Sequence, residues 1–162
     1  MRRFVIPSAA VLLTCCAGSP GQDKKEPDSV EPTALEKAIV EGINKERAKE
    51  KLAPLKIHPK LTKVARAHSE NMAKTGMLEH VLDDKKPTDR VKASGYRLGL
   101  CGENIALTEG GYTPDEVVQG WMESKLHREN ILDRRFTETG LGIATNKKGE
   151  VYYTQVFATP AR

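Results

Sequence analysis

Apolar positions along the chain fall into a few runs with distinct periods. Thr33 followed by Glu36 forms a capping-box pattern, and Leu35, Ile39, Ile43 and Arg47 then recur on one helical face with Ala38 and Gly42 beside it. This predicts a first helix to about Glu50. Leu52 to Leu55 reads as a short extended crossing, since Pro54 biases Ala53 away from helix. After Pro59, the residues Leu61, Val64, Ala65, His68 and Met72 keep the three-and-four spacing of a buried stripe, which stops near Gly76. A polar loop follows, and Thr88 to Ser94 forms a short helical turn before Gly95 and Tyr96.

Downstream, Glu103 lies in a short apolar segment, Glu103 to Leu107, bounded by Gly102 and the Gly110-Gly111 turn. Thr113-Pro114-Asp115-Glu116 then carries a cap, a first-turn proline and a reciprocal glutamate, a strong helix start. Val117, Trp121 and Ser124 fall on one side of that helix, and His127 opens a short turn ending near Leu132. Gly140 to Thr145, the polar Asn146 to Gly149 and Val151 to Phe157 read as a closing hairpin. Its second strand alternates Val151, Tyr153, Gln155 and Phe157 against Tyr152, Thr154 and Val156.

The first residues form a different pattern. Arg2 and Arg3 precede an apolar run from Phe4 to Ala17, shorter than the roughly twenty residues of a membrane span. We read residues 1–16 as an export leader of lipoprotein type, because Leu13-Thr14-Cys15-Cys16 resembles a lipoprotein box with Cys16 as the lipidated residue. Simple secretion after the Cys-Cys-Ala-Gly segment is the other route. Both place the protein outside the cytoplasm, as a cell-envelope lipoprotein or in secreted form. Residues 17–33 combine Pro, Gly and mixed charge with little to bury, the composition of a disordered tether. One domain, residues 34–158, remains.

Composition narrows the picture further. With 38% hydrophobic and 30% charged residues the chain is an ordinary globular sequence, and its aromatic supply is thin at 5%. Loss of Arg2 and Arg3 with a leader takes the formal charge from +4 to +2, which supports no nucleic-acid partner. Of three cysteines, only Cys101 lies in the domain, so no internal disulfide holds it. A monomer is expected.

The residues also match in order. Ala67 to Met72 (Ala-His-Ser-Glu-Asn-Met), Leu78-Glu79-His80, Gly102-Glu103-Asn104-Ile105-Ala106, Trp121 to Leu132, Gly140-Leu141-Gly142 and Tyr153 to Phe157 together resemble the CAP superfamily of cysteine-rich secretory, antigen 5 and pathogenesis-related-1 proteins, in its compact bacterial branch. The resemblance implies an α+β fold, a three-layer α-β-α sandwich with a mostly antiparallel central sheet. It also implies a cavity lined by two histidines and two glutamates. By position these are His80, Glu103 and His127, while the fourth position holds Ser124. Glu123, two residues past Trp121, lies about 200° round a helix from it and Ser124 about 300°, so Ser124 points with the tryptophan and Glu123 towards solvent.

Two readings of the cavity follow. The favoured one is a non-catalytic binding module with a His/Glu-lined cleft for a small apolar ligand, a peptide or an envelope partner. A divalent cation such as zinc, held by His80 and His127, would fit the imidazole chemistry. The alternative is a metal-assisted, peptidase-like hydrolase in which Glu103 is the general base. A structural envelope protein, its polar cluster only bracing the fold, is a weaker third. Ser124 and His127 lack a nucleophile elbow around them. His68 reads as a satisfied core histidine, His58 as exposed, and Cys101 as an unreactive thiol. Arg128, Asn130 and Asn104 read as polar residues closing loop backbone around the cleft.

Overall fold

In the computed structural model, which describes residues 30–162, Thr33 caps the first helix, α1 (Ala34–Lys49). Its hydroxyl accepts the Glu36 N–H at 3.2 Å, and its own N–H donates to the Glu36 carboxylate at 2.7 Å. The leader, Cys16 and nearly all of the expected tether lie outside the described residues.

One position on the α1 face departs from the periodic reading. Leu35 is 37% exposed, and Glu36 is buried in its place. Arg66 explains the exchange, because its Nε and NH2 donate to the two Glu36 oxygens at 2.8 and 2.6 Å. A partner thirty residues away offsets the cost of burying an acid, which the local pattern cannot show.

The extended crossing becomes β1 (Lys56–Ile57), a two-residue strand. Next comes α2 (Pro59–Thr75), closed by Gly76 in the left-handed conformation at φ 71°, with every residue of the expected stripe buried. His58 is not simply exposed, since it caps α2 by accepting the Lys60 N–H on Nδ1 at 3.2 Å and packs edge-on against Tyr96. The short turn is α3 (Pro87–Ala93).

The segment around Glu103 is longer than its apolar stretch, forming β2 (Leu98–Glu109). Gly99, Gly102, Glu103 and Asn104 break any alternation, so only pairing with the last strand defines its length. The helix opened by Thr113 is α4 (Pro114–Glu123), and α5 (Lys125–Leu132) follows directly. Ser124 between them is extended rather than helical. The hairpin is β3 (Glu138–Thr145) and β4 (Glu150–Pro160).

These strands form one sheet in the order β1-β3-β4-β2. It is mixed, with β1 and β3 parallel and the other two pairings antiparallel. Both faces of β4 are buried, as alternating apolar sets on both sides require. On one face Val151, Tyr153 and Phe157 pack with Ile39, Ile43, Val117, Trp121 and Ile131 from α1, α4 and α5. On the other, Val156 and Ala158 pack with Leu61, Val64, Ala65 and Val91 from α2 and α3. The architecture is the α-β-α sandwich, and β2 is one of the two edge strands of its sheet, opposite β1.

Candidate functional site

Glu103 sits on that edge, where the two helical layers come within reach of each other. Along β2 the side chains alternate, so Cys101, Glu103 and Ile105 face α2 and α3 while Gly102 and Asn104 face α5. Each residue of the Gly102-Glu103-Asn104 motif thereby has a separate task. A Cβ at Gly102 would lie 2.7 Å from the Phe136 ring. Asn104, fully buried, donates to the His127 carbonyl at 3.1 Å. Asn130 donates to the Asn104 side chain at 2.9 Å and to the Glu103 carbonyl at 3.2 Å, and Arg128 donates to the Met122 carbonyl at 2.7 Å. These polar residues close backbone around the site, as the sequence indicates.

The Glu103 carboxylate is 2% exposed and held from two sides. Arg90 NH2, from α3, donates to Oε2 at 2.7 Å. His80 Nδ1, from the loop after α2, lies 2.9 Å from Oε1. Because an ionised carboxylate only accepts, Nδ1 carries the proton of this pair and a neutral ring turns its Nε2 lone pair away from Glu103. His80 is half exposed, so that nitrogen is the open side of the cluster. Arg90 also donates to the carbonyls of His80 and Lys85, at 3.0 and 2.7 Å, which fixes the loop carrying His80.

His68 adds a fourth member. It is 1% exposed, its Nε2 meets the Glu79 carbonyl at 2.9 Å, and the same nitrogen stands 3.8 Å from Glu103 Oε1. A carbonyl accepts only, so Nε2 is the protonated nitrogen, and the buried Nδ1 has no partner among the described residues. The core-histidine reading describes its burial but not its place beside the acid. Arg90 is a site residue that the sequence does not mark. A single Arg among lysines and aspartates has the look of surface charge, and only the docking of α3 turns it inward.

His127 enters from α5, with its Nδ1 buried and unpartnered among the described residues. Burial, then the charge of nearby His80, holds it below the ordinary histidine value. Beside it a groove of ≈ 380 Å³ runs along the outer side of β2, between Leu78 and Leu107 and the α4 residues Val117, Gly120 and Trp121, with Ser124 and His127 at one end. Of the four expected cavity residues Ser124 and His127 line this groove, while Glu103 and His80 stand in the cluster beside it; Glu123 is exposed and accepts from Gln119 at 2.8 Å. Burial, then the charge of Glu103, pushes the Cys101 thiol up to about 11, which leaves it protonated and unreactive near neutrality.

The donor set does not compose a metal site as folded. Both oxygens of Glu103 are taken by Arg90 and His80, and the fourth position holds a serine. That leaves two imidazole nitrogens, against the three protein donors of an open catalytic zinc site. Among the described residues no group of three or more His, Cys, Asp or Glu side chains is placed to hold an ion.

A pH prediction follows from the buried imidazoles. His68 is held below its ordinary value chiefly by burial, with Arg90 and His80 adding to the effect and Glu103 opposing it. The unfolded chain, with an ordinary value of about 6.5, therefore takes up protons before the folded one does. Stability is full above that value and falls as the pH drops through it towards the folded value. Thermal melts between about pH 7.5 and 5.5, a window that brackets the ordinary histidine value, should show Tm decreasing, and His68→Gln should flatten the slope. An unchanged slope in that variant would remove His68 as the cause.

Comparison with known proteins places this geometry in context. A family model described as the cysteine-rich secretory protein family, CAP, matches residues 40–157. The uncharacterized protein YkwD of Bacillus subtilis (strain 168) is 44% identical over 130 residues, covering 80% of this chain and 48% of YkwD. The chain thus spans about half the length of that relative. Among solved structures, an extracellular protein containing a SCP domain from Bacillus anthracis superposes with a TM-score of 0.63 at 31% identity, over 76% of this chain and 40% of that one. An outer surface protein from Borrelia burgdorferi has the same fold, with a TM-score of 0.71 at 22% identity over 77% and 92% of the respective chains.

Proposed function

We propose, from the premise that the chain belongs to the cysteine-rich secretory protein (CAP) family, that it is a non-catalytic binding module acting outside the cytoplasm. Its ligand site is the groove between β2 and α4, with Ser124 and His127 at its polar end. The observation that carries this reading is the groove itself, which joins apolar walls to an imidazole whose Nδ1 has no partner among the described residues. Such a site suits a ligand with an apolar body and one polar group, whether a small molecule, a peptide or an envelope component.

The hydrolase reading lacks comparable support. A general base needs a carboxylate free to take a proton, and Glu103 is clamped by a guanidinium at 2.7 Å and an imidazole at 2.9 Å. Those contacts suit a brace that holds His80 and the α3 layer against the sheet edge.

Export is part of the same proposal. The basic start and apolar run of residues 1–16 provide the leader, and Cys16 the lipid attachment point. The B. anthracis relative is described as extracellular and the Borrelia one as an outer surface protein. No helix among the described residues is long and apolar enough to cross a membrane.

Native mass spectrometry of the full chain, purified from a bacterial envelope without chelators, tests the reading. A retained ligand mass should disappear in His127→Ala, and metal analysis should find much less than one zinc per chain. A bare wild-type protein would count against the binding module. Stoichiometric zinc that is lost in His80→Ala/His127→Ala would revive the hydrolase.

A further inference from the structure

The outer edge of β2 is only half covered. Gly110 N–H donates to the Gly149 carbonyl, and counting back along the β2–β4 register makes Thr108, Ala106 and Asn104 the residues whose backbone bonds inward. Glu103, Ile105 and Leu107 therefore turn their N–H and C=O groups outward. Two of these carbonyls are occupied by side chains, Glu103 by Asn130 at 3.2 Å and Ile105 by Trp121 Nε1 at 3.4 Å. Beyond Ile105 this cover ends. By this register the N–H of Ile105 and both groups of Leu107 point away from β4, no side chain or loop backbone bonds them among the described residues, and both residues line the groove.

We propose that the groove takes an extended peptide, which pairs with β2 at Leu107 as a fifth strand of the sheet. This rests on the binding-module reading and states its ligand class and mode. Main-chain complementarity selects the occupant. A hydrocarbon chain would desolvate the Leu107 N–H and C=O without replacing their hydrogen bonds, whereas a peptide backbone satisfies both. The side chains set its sequence. The peptide residue opposite Leu107 stands on the same face, beside Leu107 and Leu78, which are 38% and 40% exposed, and should be apolar. Its two neighbours point towards α4, where Gly120 leaves the wall open, and have room for side chains of modest size.

The experiment is a selection of phage-displayed random heptapeptides on the full chain, followed by synthesis of the enriched sequence. Leu107→Pro replaces the leucine side chain but takes from the backbone only an outward N–H, so the ladder to β4 stays intact, and N-methylation of the peptide isolates the main-chain contribution. Gly120→Leu places a side chain where a Cβ meets nothing within 4 Å, filling the groove from a helix that tolerates it. Both should weaken binding at least tenfold, as should N-methylation of the central peptide residue, which leaves the protein untouched. The Leu107 amide should become protected from hydrogen exchange in the complex. Absence of any enriched peptide, or binding insensitive to Leu107→Pro and to N-methylation, overturns strand addition. Sodium palmitate separates the two readings. If it binds wild type and is excluded by Gly120→Leu but not by Leu107→Pro, the groove stands as a ligand site while the peptide falls. If neither probe binds, both fall.

Discussion

Gly140→Ala and Gly142→Ala should each cost about 3–5 kcal/mol, lowering Tm by roughly 10–20 °C. The two glycines of the Gly-Leu-Gly motif lie on β3 directly under α2. A Cβ built at Gly140 would be 2.1 Å from Leu61 C and Thr62 N, and one at Gly142 would be 2.2 Å from Arg66 N. These are backbone atoms of a helix, so no rotamer change relieves the overlap. The helix must lift by roughly an ångström, opening the close-packed layer that contains Leu61, Val64 and Ala65. It would also carry away Ser69, whose hydroxyl donates to the Gly142 carbonyl at 2.9 Å. Equilibrium denaturation with linear extrapolation measures the loss. Gly120→Ala is the internal control, since its Cβ enters open space on α4 and should stabilise by up to about 1 kcal/mol. Stability within about 1 kcal/mol of wild type for either β3 variant, the range of an ordinary substitution, would mean that α2 does not sit on bare backbone.

Arg47→Met should be comparably damaging, at about 3–5 kcal/mol. Arg47 is 1% exposed and its guanidinium serves four carbonyls, those of Ala53, Ile131, Asp133 and Phe136, at 2.9, 2.6, 3.0 and 3.2 Å. It ties the end of α1 to the segment leaving α5, and so fixes the helix that carries His127. Methionine keeps much of the stem's packing but strands those acceptors, and lysine, with a compact ammonium in place of a planar fork, cannot reach all four. Arg47→Lys should therefore recover only part of the loss. Amide exchange should show α5 loosening first, with ligand binding weakened before global unfolding. A near-neutral Arg47→Met would mean that water replaces the guanidinium at these carbonyls.

Arg47 also shows where sequence reading reaches its boundary. Its spacing after Leu35, Ile39 and Ile43 puts it on the inner face of α1, and it is there. Nothing local says what would satisfy a buried guanidinium, because its acceptors lie in segments brought close only by the fold. Leu35 and Glu36 make the converse case, as the apolar residue is exposed and the acid buried because Arg66 waits across the layer. At the site, motif order marks Glu103, His80 and His127, and helical geometry sets Ser124 inward and Glu123 outward. It does not mark Arg90 as a site residue, nor show that His68 stands 3.8 Å from Glu103.

Local signals suffice for most of the elements, though not for the length of β2, and the fold they make is what the resemblance of the ordered motifs implies. Caps at Thr33 and Thr113, the proline and glycine limits of α2, and the alternation of β4 all act within a few residues of where they are written. The ordered motifs supply the family. What the cluster around Glu103 is belongs to the folded chain alone, because its charges come from a strand, two helices and a loop whose mutual distances no local pattern encodes. That arrangement gives both Glu103 oxygens to Arg90 and His80, and it ends the side-chain cover of the β2 edge at Ile105, leaving Leu107 open.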